Sequence, residues 1–338
     1  MLKAGVIGLG GIFAVHRPAI EKYGLLCAVC DVKPEKLRPW LDREGIFATT
    51  DWRELIARPD IDVVHILTPH YLHAEMAIEA LAHGKHVVLE KPMAIRTDDA
   101  RRIIRAADKA CGSLNIIFQN RYNASAILLK KIADSGEAGR FLGGRAIVTW
   151  CRDAAYYAQD PWRGKWATEG GGPLINQAIH TLDLFSWLGG PIERVKGHIS
   201  TDLLGDCIEV EDNAHAVAEF ASGARGVIYV SNSHVVDSLP QVDLIFEKAQ
   251  YQLLGPNLFR MENHIPVLLT ADSAAPGIDA KACWGTGHDF EIRRIYHCIQ
   301  TGEPFEIDGR TGFAALALTE AIYASNASGD WAYLAKAD

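Results

Sequence analysis

The chain lacks the long apolar segment that a membrane helix needs, because its 338 residues contain no run of roughly eighteen apolar residues. Its first residues, MLKAGVIGLGG, place glycines where a secretory signal peptide requires an unbroken apolar core. With a net charge of −8, it also lacks the positive excess typical of proteins that bind nucleic acid or anionic membranes. These absences predict a cytoplasmic protein without a membrane or nucleic-acid partner.

Cysteine is scattered without a pattern, and its number, seven, is odd. This usage is typical of reduced thiols in a cytosolic protein and not of a disulfide framework. Cys27 and Cys30 form a CxxC, but the surrounding LLCAVCDV has the pattern of a strand. Because no second CxxC or nearby HxxxH completes a zinc-ligand set, we expect no metal site.

The length exceeds that of one ordinary domain, so two domains are expected. In residues 1–120, short apolar runs alternate with helical stretches. The runs predicted as strands are KAGVIGLG, LLCAVCD, VVHILTP, HVVLEKP and LNIIFQN. Strand and helix in alternation indicate right-handed crossovers and a doubly wound parallel sheet, the Rossmann arrangement.

The pattern changes in residues 121–338. From about residue 140, segments of alternating polarity follow one another, which favours an antiparallel sheet with one face exposed to solvent or covered by a partner. A helix over 174–190, LINQAIHTLDLFSWLGG, interrupts them, and two further helices are predicted near the end of the chain. The predicted fold class is therefore α/β, with a doubly wound parallel sheet followed by a mostly antiparallel sheet.

A glycine-rich turn links the first strand to the first helix. Gly8, Gly10 and Gly11 lie in VIGLGGIF, and Ile12 follows them. Such a turn lets the backbone approach a pyrophosphate and points a helix N-terminus at it. Phe13 replaces the usual third glycine, so the prediction of a dinucleotide site depends on its strand–turn–helix context.

The second predicted strand ends in Asp31, about twenty residues further on. A carboxylate at this position accepts hydrogen bonds from the ribose hydroxyls of adenosine and repels a 2′-phosphate. We therefore expect NAD as the cofactor. Lys33 lies close enough in sequence to keep NADP as the less favoured alternative.

The third predicted strand ends in LTPHYLH. Since ligands of open α/β sheets bind beyond the carboxyl ends of the strands, Thr68, Pro69 and His70 are predicted to contact the cofactor. His73 opens the next helix and is included in the cofactor-binding set, although a structural hydrogen-bonding role fits it better.

The fourth predicted strand ends in Glu90, Lys91 and Pro92 at the same edge. Transfer of hydride from an alcohol to nicotinamide requires a group that removes the hydroxyl proton. A lysine near the nicotinamide can hydrogen-bond the reacting oxygen and can titrate if burial lowers its pKa. We therefore predict that Lys91 is catalytic and that Glu90 lies at the cofactor site.

A second polar group follows the triple glycine 170–172. If Pro173 lies in the first turn of the predicted helix, Asn176 and His180 are one turn apart on one face. Asp183 then lies three residues further and could accept a hydrogen bond from the imidazole. This spacing indicates that His180 is an acid–base residue.

Together these motifs resemble the Gfo/Idh/MocA oxidoreductases, a family named for glucose–fructose oxidoreductase and inositol dehydrogenase. The resemblance covers nearly the whole chain. It comprises the glycine turn, TPHYLH, EKP at 90–92, FQNRYN at 118–123, GGGPLINQAIHTLD at 170–183 and GRTGFAALALTEAIYAS at 309–325.

The resemblance implies hydride transfer between NAD(P) and a sugar or cyclitol carbon, with Lys91 as the catalytic lysine and His180 as the acid/base. Asn176 stands where many members have Asp. An amide can bind a sugar hydroxyl but cannot stabilise a protonated imidazole by charge, so we assign Asn176 to substrate positioning. Either Lys91 then takes a larger part in proton transfer or Asp183 orients the histidine.

The remaining site assignments follow from the same resemblance, except for His288, which is chosen outside it and has a role at the start of a helix as its alternative. The predicted cofactor contacts are Asn120, Trp162 and Arg163; the predicted substrate contacts, besides Asn176 and Asp183, are Arg121, Tyr122 and His288. The resemblance also implies an N-terminal Rossmann domain, a C-terminal α+β domain with a large open sheet, and a homodimer or homotetramer assembled through that sheet.

The predicted function is oxidation of a secondary hydroxyl of a sugar, sugar acid or inositol to a ketone by an NAD-dependent dehydrogenase. One alternative is a related enzyme that recycles NAD internally during hydrolysis or epimerisation. The other is a regulator that binds the dinucleotide without catalysis, against which the presence of both Lys91 and His180 argues.

Overall fold

The computed structural model describes residues 1–271 and 287–337, and the chain forms two compact units. Within those ranges, no helix combines the length and apolar character that crossing a bilayer requires. The first unit contains Met1–Ile117 and His288–Phe313, and the second contains Phe118–Gly287 and Ala314–Lys336.

The first unit alternates strands and helices along the chain. Its strands are β1 (Lys3–Ile7), β2 (Leu25–Cys30), β3 (Phe47–Thr49), β4 (Val63–Ile66), β5 (His86–Leu89) and β6 (Leu114–Ile116). Its helices are α1 (Phe13–Tyr23), α2 (Pro34–Leu41), α3 (Trp52–Ala57), α4 (His73–Ala82) and α5 (Thr97–Ala107).

The six strands form one sheet in the order β3-β2-β1-β4-β5-β6, and every pairing is parallel. This is the strand order of dinucleotide-binding domains, with the change of direction between β1 and β4. The strands are buried on both faces, as helices on each side of a parallel sheet require. The carboxyl ends of β1, β4 and β5 consequently lie along one edge.

A late helix joins this core. Helix α9 (Gly287–Thr301) contributes Ile292, Ile295 and Tyr296 to the cluster that contains β1 and β2. The first unit therefore includes chain that returns from beyond residue 287, whereas the sequence suggests a single division at residue 120.

The second unit is built around a larger sheet. Its helices are α6 (Ala124–Ser135), α7 (Ala154–Ala158), α8 (Ile179–Gly189) and the main part of α10 (Gly309–Ser328). Its strands are β7 (Phe141–Thr149), β8 (Ile192–Ser200), β9 (Asn213–Phe220), β10 (Arg225–Ser231), β11 (Gln241–Phe246), β12 (Gln250–Leu254), β13 (Asn257–Glu262), β14 (Ile265–Ala271) and β15 (Ala332–Tyr333).

The nine strands are ordered β14-β13-β12-β11-β7-β10-β9-β8-β15, and within the described part of this second sheet only β7 and β10 pair in parallel. Helix α8 packs on one face through Phe185, which is fully buried. Gly226 on β10 makes room for this ring, because a Cβ there would lie 2.4 Å from it, and a Cβ at Gly144 on β7 would lie 3.2 Å from it. The site-bearing helix is thus fixed on the sheet.

The predicted fold class is confirmed: a parallel Rossmann sheet is followed by a mostly antiparallel one. The short strand β3 was not predicted, because three residues carry little periodicity. Strand β14 was also missed. The predicted helix over 174–190 is wrong at its start, since α8 begins at Ile179 and the preceding residues form turns.

Candidate active site

The glycine turn follows β1 and passes close to the end of β4. Gly8 has a φ of 98°, and a Cβ there would lie 2.5 Å from the carbonyl oxygen of Leu67. By contrast, a Cβ at Gly10 or Gly11 would meet no atom within 4 Å. The turn therefore has one tightly packed glycine and two open ones, followed by Ile12 and the N-terminus of α1. This arrangement fits a pyrophosphate at the helix N-terminus.

Asp31 ties the end of β2 to this turn. Its Oδ2 accepts hydrogen bonds from the Leu9 N–H at 2.8 Å and from Lys36 Nζ at 3.0 Å, and its Oδ1 accepts from the Lys33 N–H at 3.0 Å. The side chain is 7% exposed. Sequence reasoning missed Lys36, whose position in the first turn and a half of α2 could have identified it.

His73 connects the segments that follow β4 and β5. Its ring nitrogens lie 2.9 Å from the Thr68 carbonyl oxygen and 2.7 Å from that of Pro92. The imidazole is fully buried, and burial lowers its pKa. His73 therefore fixes the loops that carry Thr68, Pro69 and the EKP sequence, and this contact is structural. His70, also buried, begins the intervening turn.

Glu90 and Lys91 follow β5, and the Lys91–Pro92 peptide bond is cis. The Glu90 carboxylate is buried; Oε1 lies 2.9 Å from His16 Nε2, and Oε2 accepts the Lys91 N–H at 3.1 Å. Burial favours a raised pKa for Glu90, but the hydrogen bond from His16 and the nearby charges of the site lower it to about 2. Glu90 is therefore a carboxylate.

His288 lies in the first unit, on α9, and not in the C-terminal domain where sequence reasoning places a substrate contact. Its Nε2 is 3.9 Å from Glu90 Oε1, and its ring centroid is 5.7 Å from that of His16. Burial lowers the pKa of His288 to about 3. The structure thus associates this histidine with Glu90.

In the second unit, Asn176 lies in the turns before α8 and does not share a helical face with His180. Its Nδ2 donates to Glu169 Oε1 at 2.5 Å. The backbone bonds Asn176 N–H to Gly172 O and Ala178 N–H to Pro173 O span four and five residues, which interrupts a regular helix.

His180 lies in the first turn of α8 and is buried, with Phe118 edge-on at a centroid distance of 5.7 Å. The sequence suggests that Asp183 accepts a hydrogen bond from the imidazole, but in the structure its carboxylate pairs with Arg121. Its two oxygens accept from Arg121 Nε at 2.7 Å and Nη2 at 2.6 Å. The guanidinium also lies 5.1 Å from the Trp187 ring centroid. Arg121 and Asp183, both predicted as substrate contacts, thus form a buried ion pair.

The other predicted contacts lie in loops of the second unit. Asn120 and Tyr122 belong to the single helical turn Gln119–Tyr122. The Arg163 guanidinium stacks on Trp162 at 4.9 Å, lies 3.3 Å from Asp160, and donates a hydrogen bond to the Tyr156 hydroxyl. Arg163 is therefore part of a local aromatic and acidic cluster.

Glu211, which sequence reasoning missed, anchors the triple-glycine segment. Its carboxylate accepts from the Gly172 N–H at 2.9 Å, the Leu174 N–H at 3.2 Å and the Tyr323 hydroxyl at 2.9 Å. Burial raises the pKa of Glu211 to about 7. The segment between the glycines and α8 is thus held by two buried carboxylates, those of Glu211 and Glu169.

Two family models match the chain. The model of the NAD-binding Rossmann fold of the oxidoreductase family matches residues 2–116, and that of the GFO/IDH/MocA C-terminal domain matches residues 127–252. A solved WlbA dehydrogenase from Bordetella pertussis, in complex with NADH and UDP-GlcNAcA, is 32% identical; the match covers 99% of each chain with a TM-score of 0.86.

Two relatives of known activity are also similar. Myo-inositol 2-dehydrogenase of Thermotoga maritima is 26% identical over 94% of this chain and 94% of that protein. Levoglucosan dehydrogenase of Pseudarthrobacter phenanthrenivorans is 32% identical over 55% of this chain, and the match spans 54% of that protein. Both domain models and the full-length similarity confirm the resemblance: the chain belongs to the GFO/IDH/MocA oxidoreductase family, and its first unit is an NAD-binding domain.

Proposed function

We propose that the protein is an NAD-dependent dehydrogenase that oxidises a secondary hydroxyl of a sugar, sugar acid or cyclitol to a ketone. The observation that carries the proposal is the position of Glu90 and Lys91 at the carboxyl end of β5, in the sheet that has the dinucleotide-binding strand order. The substrate class is supported by the names of its relatives, which include dehydrogenases of levoglucosan and inositol and a structure with a bound nucleotide sugar acid.

Lys91 and His180 are the residues proposed to handle the hydroxyl proton as hydride leaves for the nicotinamide. Asn176 is proposed to position the substrate by donating or accepting a hydrogen bond to a hydroxyl, in an orientation set by Glu169. Arg121 and Asp183 then support α8 from within the second unit, as their bidentate pairing suggests.

The preference for NAD follows from Asp31, whose buried carboxylate lies at the end of β2 and is 3.0 Å from Lys36. A carboxylate at this position accepts from the ribose hydroxyls and repels a 2′-phosphate. Asn120, Trp162 and Arg163 remain proposed contacts of the cofactor, and Tyr122 and His288 remain proposed contacts of the substrate.

The outer face of the large sheet supports a homodimer or homotetramer. Side chains that point away from α8 include exposed apolar residues on the adjacent strands β9 and β10 and on β11, which β7 separates from β10, namely Val217, Val227, Tyr229 and Ile245. An apolar stripe of this kind is typical of an interface between subunits. We also propose a cytoplasmic location.

The test is a screen for NADH formation with levoglucosan, myo-inositol and UDP-GlcNAcA, each supplied with NAD. The proposal predicts net NADH formation, equal to the ketone formed, with a compound of this class. Substrate conversion without accumulation of NADH would instead indicate internal recycling of the cofactor, and tight NADH binding without turnover of any sugar or cyclitol would contradict the enzyme assignment.

A further inference from the structure

A chain of buried polar side chains leads to Glu90 through the first unit. The Tyr296 hydroxyl lies 3.0 Å from His65 Nε2, His65 Nδ1 lies 3.1 Å from His16 Nδ1, and His16 Nε2 lies 2.9 Å from Glu90 Oε1. His16, His65 and Tyr296 are at most 1% exposed. These three residues are not among those assigned above to the glycine turn or to the contacts of Asp31.

The distances allow a directed chain of hydrogen bonds that ends at Glu90. Burial lowers the pKa of His65 well below its usual value and raises that of Tyr296, so both are neutral. In the direction that leads to Glu90, the Tyr296 hydroxyl donates to His65 Nε2, His65 Nδ1–H donates to His16 Nδ1, and His16 Nε2–H donates to the Glu90 carboxylate.

Glu90 faces titratable groups from several elements. They are His16 on α1, His65 on β4, His73 on α4, His288 on α9 and the adjacent Lys91. Burial lowers the pKa of His65 well below its usual value and that of His288 to about 3, so these two imidazoles carry no charge at neutral pH. The Glu90 anion is then held first by the hydrogen bond from His16 and next by the nearby charges, among them that of Lys91.

We propose that His16 is a positioning residue that, through Glu90, sets the pH range in which Lys91 accepts the substrate proton. The inference rests on the proposed role of Lys91. Coupling between two charges is reciprocal, so an anion at Glu90 favours the ammonium form of Lys91. If the donor on His16 is removed, burial drives Glu90 to take up a proton, and Lys91 then loses its own proton at lower pH.

The test compares His16→Leu, which removes the donor, with His16→Gln, whose amide can place an N–H near the position of Nε2. For alcohol oxidation, we expect the acidic limb of the pH profile of kcat/KM to move about one pH unit lower in His16→Leu and to return towards that of the wild type in His16→Gln. Glu90→Gln should shift the acidic limb by the same amount. The double variant that carries both Glu90→Gln and His16→Leu should show no further shift. The exposed His83, replaced by Gln, serves as the control for loss of a histidine.

Two further measurements separate the possible outcomes. Nitrogen-15 NMR of labelled histidine should show His16 protonated at Nε2 and His65 at Nδ1. His16, Glu90 and His288 also offer ligand atoms within 4.8 Å of one another, so stoichiometric metal in the purified protein, lost in His16→Leu, would overturn the proposal because a metal would replace the Nε2 proton.

The controls distinguish this inference from the proposed function. If Lys91→Met abolishes turnover while His16→Leu keeps the wild-type pH profile and NADH affinity, His16 has no positioning role although the dehydrogenase proposal stands. If Lys91→Met retains full turnover, the proposed catalytic role itself is wrong.

Discussion

The buried carboxyl of Glu211 predicts a specific loss of stability with rising pH. Its pKa is raised by burial from 4.5 to about 7, so between these values the folded protein holds a proton that the unfolded chain has released. The free energy of unfolding should therefore fall as pH rises from about 4.5 to about 7. At about 1.36 kcal/mol per pKa unit, this shift corresponds to a loss of about 3 kcal/mol in the free energy of unfolding.

Glu211→Gln provides the comparison, because an amide fills the same space and does not titrate. Urea unfolding of both proteins at several pH values, followed by a signal from the second unit, gives the difference between their stabilities. In the variant, an NH₂ group replaces one carboxylate oxygen and faces backbone donors, which changes the free energy of unfolding by an amount that does not vary with pH. The wild type should lose about 3 kcal/mol relative to the variant over this range. Equal pH dependence in the two proteins would refute the reasoning.

Three further predictions test the site. Gly8→Ala combines an unfavourable positive φ with a collision at the Leu67 carbonyl, so NADH affinity, measured by fluorescence titration, should fall at least about tenfold; unchanged affinity would contradict the turn geometry. Asp31→Ala should raise the preference for NADP over NAD in kcat/KM at least about tenfold, and an unchanged ratio would argue against Asp31 as the discriminating residue. Asp183→Asn should lower the free energy of unfolding, measured with urea, by about 3–5 kcal/mol. The double variant that combines Arg121→Met with Asp183→Leu should recover much of this loss. A loss below about 1 kcal/mol in Asp183→Asn would show that the ion pair is unimportant for stability.

Features encoded by neighbouring residues were predictable from the sequence. The glycine turn, the acid at the end of β2 and the EKP sequence each combine a strand with the residues that follow it, so periodicity and local turn chemistry identify them. The strand order then brings the ends of β1, β4 and β5 to one edge. No partner from a distant segment is needed for these predictions.

Contacts between distant segments were not predictable. His16 and Glu90 are 74 positions apart, and His65 and Tyr296 are 231 apart, so no local pattern connects them. The prediction of the residue at which α8 begins failed for the same reason. Pro173 suits a first helical turn, but the Gly172 and Leu174 amides are held by Glu211, far along the chain, and the Ala178 N–H bonds five residues back to the Pro173 carbonyl instead of continuing a regular helix.

The most direct test of the central claim is a single-turnover measurement of NADH formation by Lys91→Met, with a substrate identified in the screen. Lys109→Met, at an exposed position, is the matched control. The account predicts that Lys91→Met forms NADH at least about a hundredfold more slowly while NAD affinity stays nearly unchanged, and that the control equals the wild type. A wild-type rate of NADH formation in Lys91→Met would contradict the account.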